Sequence, residues 1–162
     1  MMHMIKLYHG SNIAIDRIDL TIGRKGKDFG QGFYLSPDLK QAQRMAQIAV
    51  EREGFGSPTV TTFLFDDSHL TDGSVRFKRF DAYTTDWARF IVANRQNRTS
   101  TPVHDFDIVY GPIANDRVGV QVQRYIQHYI DAERLVEELK FINPTFQYFF
   151  GTERAIQLLQ KL

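Results

Sequence analysis

The chain has no cysteine. That excludes disulfides, thiolate nucleophiles and cysteine-ligated zinc, and it fits a reducing cytosol. No stretch approaches the roughly 18 apolar residues of a membrane-spanning helix. The opening Met1-Met2-His3-Met4-Ile5-Lys6 lacks the basic start and apolar core of a signal peptide. Neither sign of charge is in excess: the net charge is +1, so no overall field draws the molecule to nucleic acid or membrane. Repeats, low-complexity tracts and linkers are missing. His69, His104 and His128 lie far apart and short of acidic company, so no metal site is expected. Gly30-Gln31-Gly32 has no third glycine opening a helix and is not a Rossmann fingerprint. A cytoplasmic protein without a membrane partner is the expectation.

What is present suits one globular domain spanning 1–162. Hydrophobic residues make up 43% and charged residues 24%, ordinary for a chain with a single sizeable core. Phenylalanine (13) and tyrosine (7) are plentiful, which points to a thick aromatic core or a ring-lined pocket.

Local patterns predict interspersed strands and helices. Ile5 to Tyr8 reads as a strand, residues 11–31 as a long loop, and Gly32 to Leu35 as a second strand. Ser36 as cap, Pro37 and Asp38 open a helix that carries Leu39, Ala42, Ala46, Ala49 and Val50 on one face and ends near Gly54. Thr59 to Phe65 is a strand, and Asp72-Gly73 signals a hairpin to Val75–Arg79. Thr85 or Asp86 caps a helix burying Trp87, Phe90 and Ile91. Phe106 to Tyr110 is a strand closed by Gly111-Pro112. Asn115 or Asp116 caps a helix with Val118, Val122, Tyr125, Ile126 and Tyr129 inward. Asp131 opens another with Leu135 and Leu139 inside, and Pro144 breaks it. Thr145 to Phe150 is the last strand, and Thr152 caps a final helix using Ala155, Leu158, Leu159 and Leu162. Without a regular βαβ rhythm, this is an α+β fold with helices packed on a split antiparallel sheet.

Two runs carry the chemistry: Leu7-Tyr8-His9-Gly10-Ser11, and Lys27-Asp28-Phe29-Gly30-Gln31-Gly32-Phe33-Tyr34-Leu35-Ser36. Closely spaced glycines let backbone approach a ligand or a second strand, and Tyr34 offers a ring to stack on a flat heterocycle. Together with Phe106–Asp116 and Gln147–Ala155, in that order, these blocks resemble the ADP-ribosyltransferase superfamily. The likeness is closest to its DUF3990-type bacterial domains. The resemblance implies an ADP-ribosyltransferase-like split-sheet core that uses NAD as substrate and no metal.

It further implies that His9 contacts a ribose hydroxyl, that Gly10 binds the nicotinamide amide through main chain, and that Tyr34 stacks on the nicotinamide ring. Tyr8, Ser11, Phe29, Gly32, Phe33 and Ser36 complete the surroundings of NAD. Arg24, Lys25 and Lys27 stand where bases neutralise a pyrophosphate, and equally where a solvated loop would carry them. The superfamily's late-strand glutamate is replaced by Gln147, which accepts a hydrogen bond but brings no charge. Glu153, on the following helix, is the carboxylate that could swing in as the catalytic residue instead, although a residue just after the capping Thr152 also serves the helix dipole. The implied activity is transfer of ADP-ribose from NAD to a protein or nucleic-acid acceptor, as in toxins restrained by an antitoxin-like protein partner. The alternative is a non-catalytic NAD- or ADP-ribose-binding module on the same fold. A third reading takes Arg89, Arg95 and Arg98 as nucleic-acid contacts.

Overall fold

The computed structural model describes residues 2–162. It is an α+β fold of two mostly antiparallel sheets and five helices. The strands are β1 (Met4–Ser11), β2 (Phe33–Leu35), β3 (Thr59–Asp66), β4 (Phe77–Arg79), β5 (Ile108–Pro112), β6 (Phe146–Phe150) and β7 (Leu159–Lys161). The helices are α1 (Leu39–Glu53), α2 (Thr85–Gln96), α3 (Asp116–Ile126), α4 (Ala132–Leu139) and α5 (Glu153–Ile156). One sheet runs β1-β3-β7 and the other β2-β6-β5-β4, with β4 and β5 the parallel pair.

Strands β2, β5 and β6 of the four-stranded sheet are mostly buried and nearly continuous in apolar residues, whereas β4, at its edge, is Phe77-Lys78-Arg79 and partly exposed. Ile108, Tyr148, Phe150, Phe33 and Leu35 face the three-stranded sheet, where Leu7, Phe63 and Phe65 meet them. Val109 and Phe149, on the alternate positions, face Trp87, Ile91, Val122, Leu135 and Leu139 of α2, α3 and α4. Trp87 Nε1 donates to the Pro112 carbonyl at 3.1 Å, which ties α2 to the end of β5.

Several sequence expectations need correction. Asp38, not Ser36, is the N-cap of α1: its side chain accepts from Lys40 N, and Ser36 Oγ instead accepts from Asp38 N. Leu39 is then exposed, while Ala42, Ala46 and Ala49 are buried and Gly54 closes the helix at φ +79°. Thr84 caps α2, one residue before the expected cap. Asn115 takes the N-cap position of α3 without a side-chain hydrogen bond. Val75–Arg79 forms no hairpin with β3: Phe77–Arg79 pairs in parallel with β5 in the other sheet. Gly111 and Pro112 belong to β5 rather than ending it. Tyr129 is 74% exposed, because α3 ends at Ile126 and His128 at φ +65° turns the chain out of the helical register. The final helix stops at Ile156, and Leu159–Lys161 crosses back to pair with β3.

Candidate functional site

The two sheets meet at a single bridge. Tyr8 N donates to Ser36 O at 2.8 Å and Ser36 N to Tyr8 O at 2.7 Å. Continued antiparallel pairing would set Gly10 opposite Tyr34. It does not continue. Instead His9 Nδ1 donates to the Tyr34 carbonyl at 2.7 Å, taking the acceptor that the Gly10 N–H would have used. Backbone groups two residues apart point to the same strand edge, so the N–H and C=O of Gly10 face the opening without a strand partner.

Gly10 is glycine for a packing reason as well. A Cβ there would lie 2.0 Å from Ala42 O and 2.8 Å from Ala46 N, so only a hydrogen lets α1 lie against β1. The splayed edge and the close helix together leave a cavity of about 710 Å³.

His9 stacks on Phe33 with ring centroids 4.2 Å apart. Burial lowers its pKa to about 4, opposed by the Tyr34 carbonyl and assisted by Lys27. The imidazole is therefore neutral near pH 7. With Nδ1 committed as a donor, Nε2 is left as an acceptor.

Tyr34 is held from both ends of its hydroxyl: it accepts from Phe29 N at 3.0 Å and donates to Gly30 O at 2.6 Å. Burial raises its pKa well above the usual phenol value, which keeps that donor proton in place. Phe149 packs on its ring at 5.3 Å between centroids, and Lys27 Nζ lies 4.3 Å from the ring centroid. Lys27 is itself desolvated by burial, which draws its pKa down to about 8.

Gln147 lies two residues before Phe149 on β6. Since Phe149 pairs with Tyr34, Gln147 and Tyr34 project from one face of the sheet. The opposite wall is a stripe of α1 from Gln41 to Arg52. The eleven helical rises between them span about 16 Å, the length scale of a dinucleotide. Four cations line the cavity, Lys27, Arg52, Arg95 and Arg98, against the carboxylate of Asp28. That carboxylate is engaged: Arg95 Nε donates to Asp28 Oδ1 at 2.6 Å, and Arg95 also reaches Ala114 O at 3.0 Å.

A family model described as "Protein of unknown function (DUF3990)" matches residues 5–161. The chain belongs to that family. No curated protein and no solved structure matches it.

In this DUF3990 domain the expected residues divide cleanly. Tyr8, His9, Gly10, Ser11, Lys27, Tyr34, Ser36 and Gln147 all line the one cavity. Phe29, Gly32 and Phe33 stand behind it. Phe29 is fully buried, with its N–H on Tyr34 and its carbonyl accepting from His104 Nε2 at 2.7 Å. Gly32 leaves room for the Phe149 ring, 2.4 Å from where a Cβ would sit, and Phe33 supports the His9 ring. Arg24 is exposed and off the cavity. Glu153 is exposed in the first turn of α5, also off the cavity.

Arg95 and Arg98 line the cavity, Arg95 partly buried and Arg98 exposed, and Arg89 pairs on the surface with Asp86 and Glu133. Gln41, Arg52 and Gln123, outside the runs that the sequence singles out, also line it. The signal for Gln41 and Arg52 was present in the polar residues flanking the alanine stripe of α1. Among the described residues no cluster of His, Asp or Glu is arranged to hold a metal ion, and no helix is long and apolar enough to cross a membrane.

Proposed function

We propose that this DUF3990 domain is an ADP-ribosyltransferase-like fold that takes NAD and transfers its ADP-ribose to a macromolecular acceptor. The observation that carries the reading is the broken β1–β2 seam, around which Gly10 main chain, His9 Nε2, the Tyr34 ring and Gln147 share one cavity.

Each group answers a need of the reaction. The nicotinamide carboxamide requires one donor and one acceptor, and Gly10 offers both from adjacent backbone atoms. The pyridine ring takes the Tyr34 face. A ribose hydroxyl donates to neutral His9 Nε2, and a second donates to the Gln147 side-chain oxygen. Arg52 and Arg98 supply charge for the pyrophosphate. The bond from C1′ of ribose to nicotinamide breaks with its electron pair on the leaving ring. The acceptor nucleophile forms the new bond to C1′ and loses its proton. A toxin of this chemistry would act under the restraint of an antitoxin-like protein.

One observation favours the rival reading of a binding module. The only cavity carboxylate among the described residues is Asp28, and Arg95 holds it. Gln147 brings no negative charge to a developing cation, a deficit typically worth about 10²–10³ in rate.

Incubation with NAD, followed by assay of free nicotinamide, separates the two. The transferase releases nicotinamide above background. Tyr34→Ala abolishes that release and Gln147→Ala reduces it. Tight binding without release identifies the module, and absence of both binding and release removes NAD from consideration.

A further inference from the structure

Most of the α1 wall is what a helix packed on a sheet requires: Ala42 and Ala49 are buried and small. Gln41 is not. It sits in the first turn of α1 at 7% exposure, lines the cavity, and its Nε2 has no hydrogen-bond partner. Among the described residues it is the one buried side-chain nitrogen or oxygen in that condition. Other buried amides are satisfied: Asn94 Nδ2 donates to Phe90 O at 2.8 Å, and Asn12 Nδ2 to Phe55 O at 3.4 Å. Nor does Gln41 cap its helix, since Asp38 does so by accepting from Lys40 N at 2.9 Å. A methionine would fill the same volume without stranding a donor, so packing gives no reason for an amide here.

We infer that Gln41 is a ligand-contacting residue whose side-chain amide donates to an oxygen of the bound nucleotide, a bond made only in the complex. The inference rests on the NAD reading and adds a residue to it. The surrounding charge agrees: four cations and one already-paired carboxylate favour a ligand rich in oxygen acceptors and negative charge. An orphaned donor already fixed in a helix loses little freedom on binding, so its full hydrogen bond appears as discrimination. Within NAD the accepting oxygen belongs either to the ADP-ribose part, on a phosphate or a ribose, or to the nicotinamide carboxamide. ADP-ribose retains only the first of these, and nicotinamide only the second.

Titration calorimetry of the wild type and Gln41→Met against NAD, ADP-ribose and nicotinamide, with melting curves of the free proteins, tests this. The variant is expected to melt about 2–4 °C higher, because a stranded donor has gone. Its affinity for NAD should fall about tenfold or more. The same loss appears with ADP-ribose if one of its phosphate or ribose oxygens accepts, and with nicotinamide if the carboxamide does. Gln41→Glu keeps the shape but presents acceptors, and should weaken NAD further. Gln41→Leu replaces the methionine variant if that one does not fold. Unchanged NAD affinity in the variant, beside a wild type that binds NAD, overturns the role of Gln41 and leaves the NAD reading standing. A wild type that binds none of the three ligands overturns both.

Discussion

His9 does two jobs with two nitrogens, and acid separates them. Its Nδ1–H closes the Tyr34 carbonyl, and its Nε2 stays free only while the ring is neutral. Burial sets the folded pKa at about 4, against about 6.5 for an unfolded histidine. Between those values the unfolded chain binds the extra proton, so stability rises with pH. The contribution is complete above about pH 6.5 and is lost as pH falls towards 4, to a total of about 3 kcal/mol. His104 acts in the same direction: burial lowers its pKa, and its Nε2 donates to Phe29 O. Urea unfolding at pH 7, 5.5 and 4.5 should show the wild type weakening step by step, and His9→Gln losing much less over the same range. Equal slopes for the two proteins would show that His9 is not the group that acid reaches.

The loop from Lys25 to Gly30 brings Gly26, Lys27 and Asp28 to the cavity. It is tied down by Tyr34 through Phe29 and Gly30, by His104 through Phe29, and by Arg95 through Asp28. The tie-down carries Lys27 onto the Tyr34 ring, where an ammonium gains from the π face but is stripped of water. A nicotinamidium ring is also a cation and wants the same face, so Lys27 must withdraw before it stacks. With the pKa at about 8, the amine is charged below that value and releases its hold above it. Wild-type affinity for NAD should therefore rise from pH 7 to pH 9, whereas Lys27→Met should bind several-fold tighter at pH 7 with little pH dependence, both read by calorimetry. Weaker binding by the variant would instead make Lys27 a pyrophosphate contact. Local signals found this loop and the elements on either side, since glycines, the Ser36-Pro37 stop and the alanine period of α1 are encoded within a few residues. They failed where the partner is distant in the chain. Val75–Arg79 alternates like a hairpin arm yet pairs with β5, and Leu158, Leu159 and Leu162 suit a helix face as well as the edge strand that β3 recruits. Gln41 and Arg52 flank the alanine stripe of α1 as polar residues, but such a stripe reads as core until the strand opposite it splays away.

At the level of the whole molecule, two sheets joined by one bridge leave a gap beside α1, and this gap gathers the Gly10 backbone, His9, Tyr34 and Gln147. Whether the gap catalyses or merely binds then turns on the position next to Tyr34 on the shared sheet face, held by Gln147. Installing a carboxylate there, as Gln147→Glu, adds charge where the ribose cation would develop. The four cationic side chains around the cavity favour its ionised form. If NAD sits with its ring on Tyr34 and its ribose towards β6, nicotinamide release should rise about 10²-fold over the wild type, with NAD affinity changed far less. A gain of release from a silent wild type would mean that the fold keeps the geometry of a transferase and has given up its charge. No gain in either rate or binding would place the ribose elsewhere in the cavity, and would leave Gln147 as a strand residue that happens to face it.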